Sequence, residues 1–380
     1  MMKKIRVLVL DCDRKNSLAI IRDLGKQKIY KVDGISHSKY SIGFFSKFIS
    51  KKYITRNPKK DGEGFLNDLL KIIQKGKYDV VLPVSHVSHI ICSFNSSEIK
   101  KWTNLIVPTP EQIDIATHKT KTYEVANKLG IQTPLTIQPL HIDDVESIEI
   151  SFPCVIKAPI EVGKNLVEYA FNREDMIQKF RKMDRQNDFG GKLPIVQEYL
   201  TGHGAGFFAF YEKGECRNYF MHRRIREYPP SGGVSACAES FKNQEILEKG
   251  KLLLDYLKWN GVAMVEFKKN ETNDEYNLLE INAKFWGSVE LSRGAGVNFP
   301  RMIIEQSTNK AVPQITDFED VRFQWILSGD LLHILERPWN LIPFLRDLLT
   351  AKNDFYFSDI KPNLMEFLYI PIHYYKKWFK

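Results

Sequence analysis

Two runs near residue 270 carry the densest chemistry in this sequence. Val262-Ala263-Met264-Val265-Glu266-Phe267 and Tyr276-Asn277-Leu278-Leu279-Glu280-Ile281-Asn282 are strand-like, and the polar residues 268–275 between them read as a turn. A hairpin centred on Asn273 sets Glu266 opposite Glu280, with side chains roughly 5 Å apart on one face. Asn282, two residues beyond Glu280, shares that face. Carboxylates placed so among Val, Met and Leu repel each other and are costly to bury unless compensated. A hard cation compensates both. Oxygen-only donors favour magnesium over zinc, with manganese as a substitute, and magnesium commonly also takes phosphate oxygens. The rival arrangement is a surface hairpin with two scattered acids, which a register slip of one residue would produce.

Basic residues offer the complementary charge. Lys157 closes the apolar run Phe152-Pro153-Cys154-Val155-Ile156, and Lys119 follows His118 in a long helix or just before it. A lysine ending an apolar strand wants an anion, although a lysine taken singly is more often solvated. Val196-Gln197-Glu198-Tyr199-Leu200-Thr201-Gly202 reads as a strand running into a turn, whose edge groups could pair with a purine. Arg223, Arg224 and Arg226 precede Pro229-Pro230-Ser231-Gly232-Gly233. This segment reads as a lid loop, its guanidinium forks gripping carboxylate or phosphate and its glycines allowing close approach; a solvated loop is the alternative. His86 and His89 stand three apart but lack a third zinc ligand. Gly294-Ala295-Gly296 lacks the strand and spacing of a dinucleotide fingerprint.

The elements that must position these groups follow from periodicity. Over the first 105 residues, strands at 5–10, 30–35 and 79–84 alternate with helices at 17–24 and 64–74. That alternation predicts a parallel sheet with helices on both sides. Residues 106–110 read as a further strand and a boundary. A single helix is expected over 111–129, with Thr109 as its cap, Pro110 in the first turn and Gly130 as its stop. Short strands follow at 154–157, 195–199 and 206–211, then a helix at 245–259 and the hairpin. The expected parts are residues 1–110 (α/β), 111–310 (α+β, two-part) and 311–380 (a helical C-terminal extension).

Composition sets the bounds. With 380 residues and 43% hydrophobic content, two or three packed domains are expected. The formal charge of +9 contains no long basic run, so no nucleic-acid partner is expected. Five cysteines without a close pair argue against a disulfide framework or zinc site, and for a reducing, cytoplasmic setting. The opening lysines and short apolar run, followed at once by Asp11, read as a first strand rather than a leader. No apolar run is long enough to span a membrane. Residues 339–349 have apolar residues at helical spacing, and 364–380 add Phe367, Tyr369, Tyr374, Tyr375, Trp378 and Phe379 with Lys376, Lys377 and Lys380. Aromatic and basic residues together suit contact with a membrane surface, though a cap packed on the protein's own domain or on a second subunit is favoured. A homodimer is the commonest oligomer.

In this order the segments resemble the ATP-grasp superfamily over roughly residues 1–305 and look closest to its carbamoyl-phosphate-synthase-like carboxylate–amine ligases. The most specific piece is Leu279-Glu280-Ile281-Asn282-Ala283-Lys284-Phe285-Trp286-Gly287-Ser288, similar to the family's Glu-x-Asn-x-Arg metal strand. The resemblance implies an N-terminal parallel-sheet (pre-ATP-grasp) domain, a two-part ATP-grasp domain, and ATP with Mg2+. It implies Glu266, Glu280 and Asn282 as metal ligands, Lys119 and Lys157 on the ATP phosphates, and Gln197, Glu198, Tyr199 and Leu200 as the adenine-holding hinge. Lys284 stands where many members have an arginine near the transferred phosphate, and Arg223 and Arg226 would hold the acidic substrate. Two departures stand out: the usually glycine-rich loop, here 158–164, has one glycine, and no ribose-holding acid follows the hinge at Gly202-His203-Gly204. The implied reaction joins a small-molecule carboxylate to an amine through an acyl phosphate. Phosphorylation of a carboxylate or carbamate of the carbamoyl-phosphate-synthase kind, and a nucleotide-binding regulator without turnover, are the alternatives.

Overall fold

The first strand is mostly apolar, and its alternation divides its side chains between two helical layers. The computed structural model describes residues 3–161, 166–230, 232–315 and 317–368. In it β1 (Ile5–Val9), α1 (Lys15–Gly25), β2 (Tyr30–Ser36), β3 (Lys51–Ile54), α2 (Gly62–Gly76), β4 (Val80–Leu82), α3 (His86–Phe94) and α4 (Ser96–Ile99) follow in turn. The four strands pair in parallel in the order β3-β2-β1-β4, as their alternation with helices predicts. Val7 and Val9 pack with Ile20, Ile21 and Leu24 of α1. Leu8 faces the other way, onto Phe65, Leu69 and Ile73 of α2. The expected strand at 106–110 does not form; that stretch is extended, and the sheet gains only an isolated Val80–Asn104 bridge.

The long helix expected next is broken in two, and the break matters for the site. Thr109 caps α5 (Pro110–Thr117) in a reciprocal box with Gln112. His118 then adopts an extended conformation (φ −98°, ψ 111°), and α6 (Lys119–Lys128) begins anew. The cause is tertiary: His118 bridges Ile160, and the Lys119 N–H donates to the Pro159 carbonyl instead of to its own helix. Local periodicity carries no trace of that contact.

A second, small sheet has the order β5-β8-β6-β7 and joins β5 (Thr136–Ile137), β6 (Cys154–Lys157), β7 (Val167–Ala170) and β8 (Ile195–Glu198), with α7 (Arg173–Gln186) against it. The third and largest sheet is built from β9 (Gly204–Glu212), β10 (Glu215–Tyr228), β11 (Val234–Ser240), β12 (Gly261–Asn270) and β13 (Glu275–Asn282). α8 (Gln244–Tyr256), α9 (Val289–Gly294) and α10 (Phe299–Ser307) accompany it. The C-terminal region is helical, as expected, with α11 (Leu331–Glu336) and α12 (Leu341–Thr350), but it also supplies β14 (Arg322–Gln324) and β15 (Lys352–Asn353). The complete order is β13-β12-β9-β10-β11-β14-β15, so residues beyond 311 extend the sheet that carries the paired acids. All five cysteines are free.

Candidate active site

The hairpin of β12 and β13 sets Glu266 opposite Glu280 and Met264 opposite Asn282, the pairing centred on Asn273 that alternation predicts. One residue further the register shifts to Phe267 opposite Leu278, leaving Leu279 as the extra residue of a bulge. The freed Leu279 carbonyl accepts from the Tyr123 hydroxyl at 2.8 Å, so α6 braces the hairpin beside the acids.

The two acids differ in charge environment. Burial pushes Glu266 up, and Glu280 and Glu227 add to that push against Arg224 and Lys157. Arg224 reaches Glu266 at 2.7 Å. For Glu280 burial also works upward, but Lys119, Lys284 and the Asn282 hydrogen bond outweigh it and hold the carboxyl at about 2. Lys119 lies 3.4 Å from Glu280, and Asn282 donates to the same carboxylate at 2.7 Å. Lys284 donates in turn to the Asn282 amide oxygen at 2.9 Å and lies 3.8 Å from Glu161. Two carboxylates and an amide oxygen thus share one face, each engaged by a basic group. These are hard oxygen donors, and a divalent cation would share or replace the charge now supplied by Arg224 and Lys119, so the residues fit magnesium.

Lys157 ends β6 and donates to Gln197 Oε1 at 2.7 Å. Burial, then Lys119, pushes its ammonium down to about 8 despite Glu280 and Glu266. Gln197 is locked from behind by hydrogen bonds to Tyr123 and Thr136. The Glu198 side chain accepts from the Leu135 N–H, Tyr199 meets Tyr169 edge-on beneath Lys268, and Leu200 is buried. The expected glycine-poor loop is described only through Glu161; residues 162–165 lie outside the described residues.

The arginines are not arranged as expected. Residues 215–228 form strand β10 rather than a lid loop, so neighbouring side chains take opposite faces. Arg223 pairs with Glu239 at 2.7 Å and lies over Phe241, outside the chamber. Arg224 turns inward to Glu266 and Glu227. A bulge at Ile225 reverses the alternation, so Arg226 shares Arg223's side rather than Arg224's. There it is buried and bound to Asp330 and Asp347, each at 2.7 Å. Of the three, Arg224 is the one beside the acids, and alternation from buried His222 was the signal that could have found it.

Lys119, Lys157, Gln197–Leu200, Arg224, Arg226, Glu266, Glu280, Asn282 and Lys284 line one chamber of about 880 Å³, with Asp13, Arg14, Asn16, Ser85 and His86, from the ends of the first sheet's strands and the helices that follow, as its far wall. Asp11, in a left-handed conformation (φ 57°), accepts from the Val84 and Ser85 N–H groups and from the Ser85 and Ser88 hydroxyls. This fan holds the start of α3 at the chamber. His86 stands there with a buried Nε2 that has no partner among the described residues. Burial, then Lys284, lowers it to about 4, which keeps it neutral. His89 instead turns away onto the Ser85 carbonyl, so the two histidines do not converge. Asn16 donates to the Phe285 carbonyl at 3.0 Å and ties the first sheet to the Lys284 segment.

Strands of the small and large sheets facing each other across a nucleotide-sized chamber, behind a parallel-sheet domain, define the ATP-grasp fold. Comparison with known proteins agrees. Residues 194–328 match the family model described as ATP-grasp in the biosynthetic pathway with Ter operon. Among solved structures, biotin carboxylase from Campylobacter jejuni aligns with a TM-score of 0.68 at 13% identity, over 83% of this chain and 73% of that one. N5-carboxyaminoimidazole synthetase from Staphylococcus aureus aligns with 0.65 at 13% identity, over 90% and 88%. L-amino acid ligase from Bacillus licheniformis aligns with 0.62 at 12% identity, over 81% and 75%. No curated protein matches the sequence. The chain has the ATP-grasp fold, in keeping with the resemblance in its sequence.

Proposed function

We propose that this protein is an ATP-dependent ligase that activates a small-molecule carboxylate as an acyl phosphate and joins it to an amine. The observation that carries this reading is the convergence of Glu266, Glu280 and Asn282 with Lys119, Lys157 and Lys284 in one chamber. Residues 1–110 form the pre-ATP-grasp domain, 111–310 the ATP-grasp domain and 311–380 its extension. Gln197–Leu200 receive the adenine, and Lys119 and Lys157 hold the phosphates. Glu266, Glu280 and Asn282 would hold magnesium, which when bound would offset the charge of the phosphates. Lys284 supplies positive charge beside the moving phosphoryl group. The substrate carboxylate attacks the terminal phosphorus and ADP leaves. The amine then attacks the acyl carbon, phosphate leaves, and the nitrogen loses its proton. Arg224, rather than Arg223 or Arg226, is the guanidinium placed to steady the acid or intermediate, and neutral His86 offers a hydrogen bond from the opposite wall.

The test is ADP release with Mg-ATP against a panel of amino acids, amino sugars and uronic acids, with mass spectrometry of the products. Turnover that needs both an acid and an amine and yields a condensed product is expected, and Glu280→Ala should abolish it while leaving the fold intact. Full activity in that variant would overturn the metal assignment. A second reading takes bicarbonate as the carboxylate, because one neighbour is named a carboxylase and another a carboxyaminoimidazole synthetase; ADP release that requires bicarbonate and no other acid would select it.

A further inference from the structure

Helix α12 is inverted for a helix on a protein surface. Its inward side carries buried Phe344 and Asp347, the latter bound by Arg226 at 2.7 Å and Arg322 at 2.9 Å. Its outward side is apolar: Ile342 and Leu349 are 80% and 87% exposed, with Leu341, Leu345 and Leu348 completing the stripe. Immediately before it, Trp339 is 68% exposed with the Arg337 guanidinium 5.1 Å from its ring. An apolar stripe left open in this way marks an interaction surface.

The charges of the segment that contains the stripe are sorted by sign. Across residues 335–368, Arg337, Arg346, Lys352 and Lys361 are exposed, whereas Asp347, Asp354 and Asp359 are buried and Glu336 and Glu366 half-buried. The sequence of 369–380 adds three lysines and no acid. We propose that this face of the C-terminal extension docks on an anionic lipid surface, the Leu/Ile stripe and Trp339 entering the headgroup boundary and the cations meeting lipid phosphates. A tryptophan paired with an arginine beside an apolar stripe suits that boundary, which is wet on one side and apolar on the other. A second copy fits less well, because a two-fold contact through this patch would bring both copies' Arg337 and Arg346 into one interface with no fully exposed acid among residues 335–368 to offset them. No helix among the described residues is long and apolar enough to cross a membrane, so the contact lies on the surface.

The experiment is flotation of the full chain with vesicles of phosphatidylcholine alone or mixed with phosphatidylglycerol. Binding is expected on the mixed vesicles and should weaken as salt rises. Ile342→Glu with Leu349→Glu should lower the partition coefficient by on the order of 100-fold, about tenfold for each buried aliphatic side chain lost. Arg337→Glu should lower it about fivefold or more. Melting temperature and circular dichroism should stay unchanged in these surface variants. Absence of flotation on either vesicle, or flotation unaffected by the double substitution, would overturn the proposal. A concentration-dependent dimer that Ile342→Glu dissociates, without vesicle binding, would also overturn it and assign the face to a second copy.

Discussion

Lys157 gives the sharpest test of the site, because its charge is set by where it is buried. At about 8, its ammonium is largely charged at pH 7 and mostly neutral by pH 9. Only the charged form attracts a phosphate. The kcat/KM for ATP should therefore fall about tenfold per pH unit above that value, since the limb reports the free enzyme. A bound polyanion stabilises the ammonium, so the limb in kcat should lie at higher pH. Lys157→Arg, charged throughout, should abolish the alkaline limb. Lys157→Met should lower kcat/KM by roughly 10²–10³, about 2.7–4 kcal/mol, the scale for removing one preorganised donor at a developing charge. Lys268 lines the same chamber and is also pushed down by burial, so it is the rival source of the limb; Lys268→Met should leave the limb in place. The assay is steady-state ADP release with saturating metal at fixed ionic strength. A flat profile, or a limb that survives Lys157→Arg, would refute the reasoning.

Two further outcomes follow from the ion networks of the C-terminal region. Asp347→Ala leaves Arg226 with Asp330 and part-exposed Arg322 with Glu239 as remaining partners, so it should destabilise the protein by about 1.5–3 kcal/mol, the scale of a lost hydrogen bond to a charged group; a melting temperature unchanged from the parent would refute the role given to Asp347. Near α1, burial together with Glu366 and Glu290 pushes Asp354 up to about 8, and burial with Glu290 pushes Glu366 up to about 7, in each case against Lys15. The folded chain therefore holds protons that the unfolded chain releases near the ordinary carboxyl value, so stability should fall as pH rises from about 4 to 8. Asp354→Asn should flatten that slope when melting is followed across the same range, and an unaltered slope would remove Asp354 as its source.

How much of this could be read beforehand depends on how local each cause is. The Glu266–Glu280 pairing was legible because strand alternation and a short polar turn fix register together. The bulge at Leu279 was not, since it answers to Tyr123 on a distant helix. Lys119 could be named, but its place at the head of α6 rests on the pairing of His118 with Ile160. The arginines were misplaced because residues 221–233 look like a loop; strand β10 runs through them, and the bulge at Ile225 reverses the side on which Arg226 would otherwise fall. His86 was set aside for want of a third zinc ligand, and the Asp11 fan and its approach to Lys284 become visible only once β1 and β4 lie side by side. In α12 periodicity found the amphipathic helix but not its orientation, which is set by two arginines that draw Asp347 inward.

The order in which the large sheet is assembled along the chain has a consequence for synthesis. Every prospective nucleotide and metal ligand has been made by Lys284, yet β11 gains its outer neighbour only from Arg322–Gln324, and that strand gains its own only from Lys352–Asn353. A nascent chain paused between these points would carry the whole reactive set beside an open ladder edge, a template for pairing with other chains. The last segment therefore covers that edge. When Asp347 engages Arg226 and Arg322, α12 is fixed beside that edge, so a prematurely ended chain would announce itself by aggregating rather than by idling as a defective enzyme.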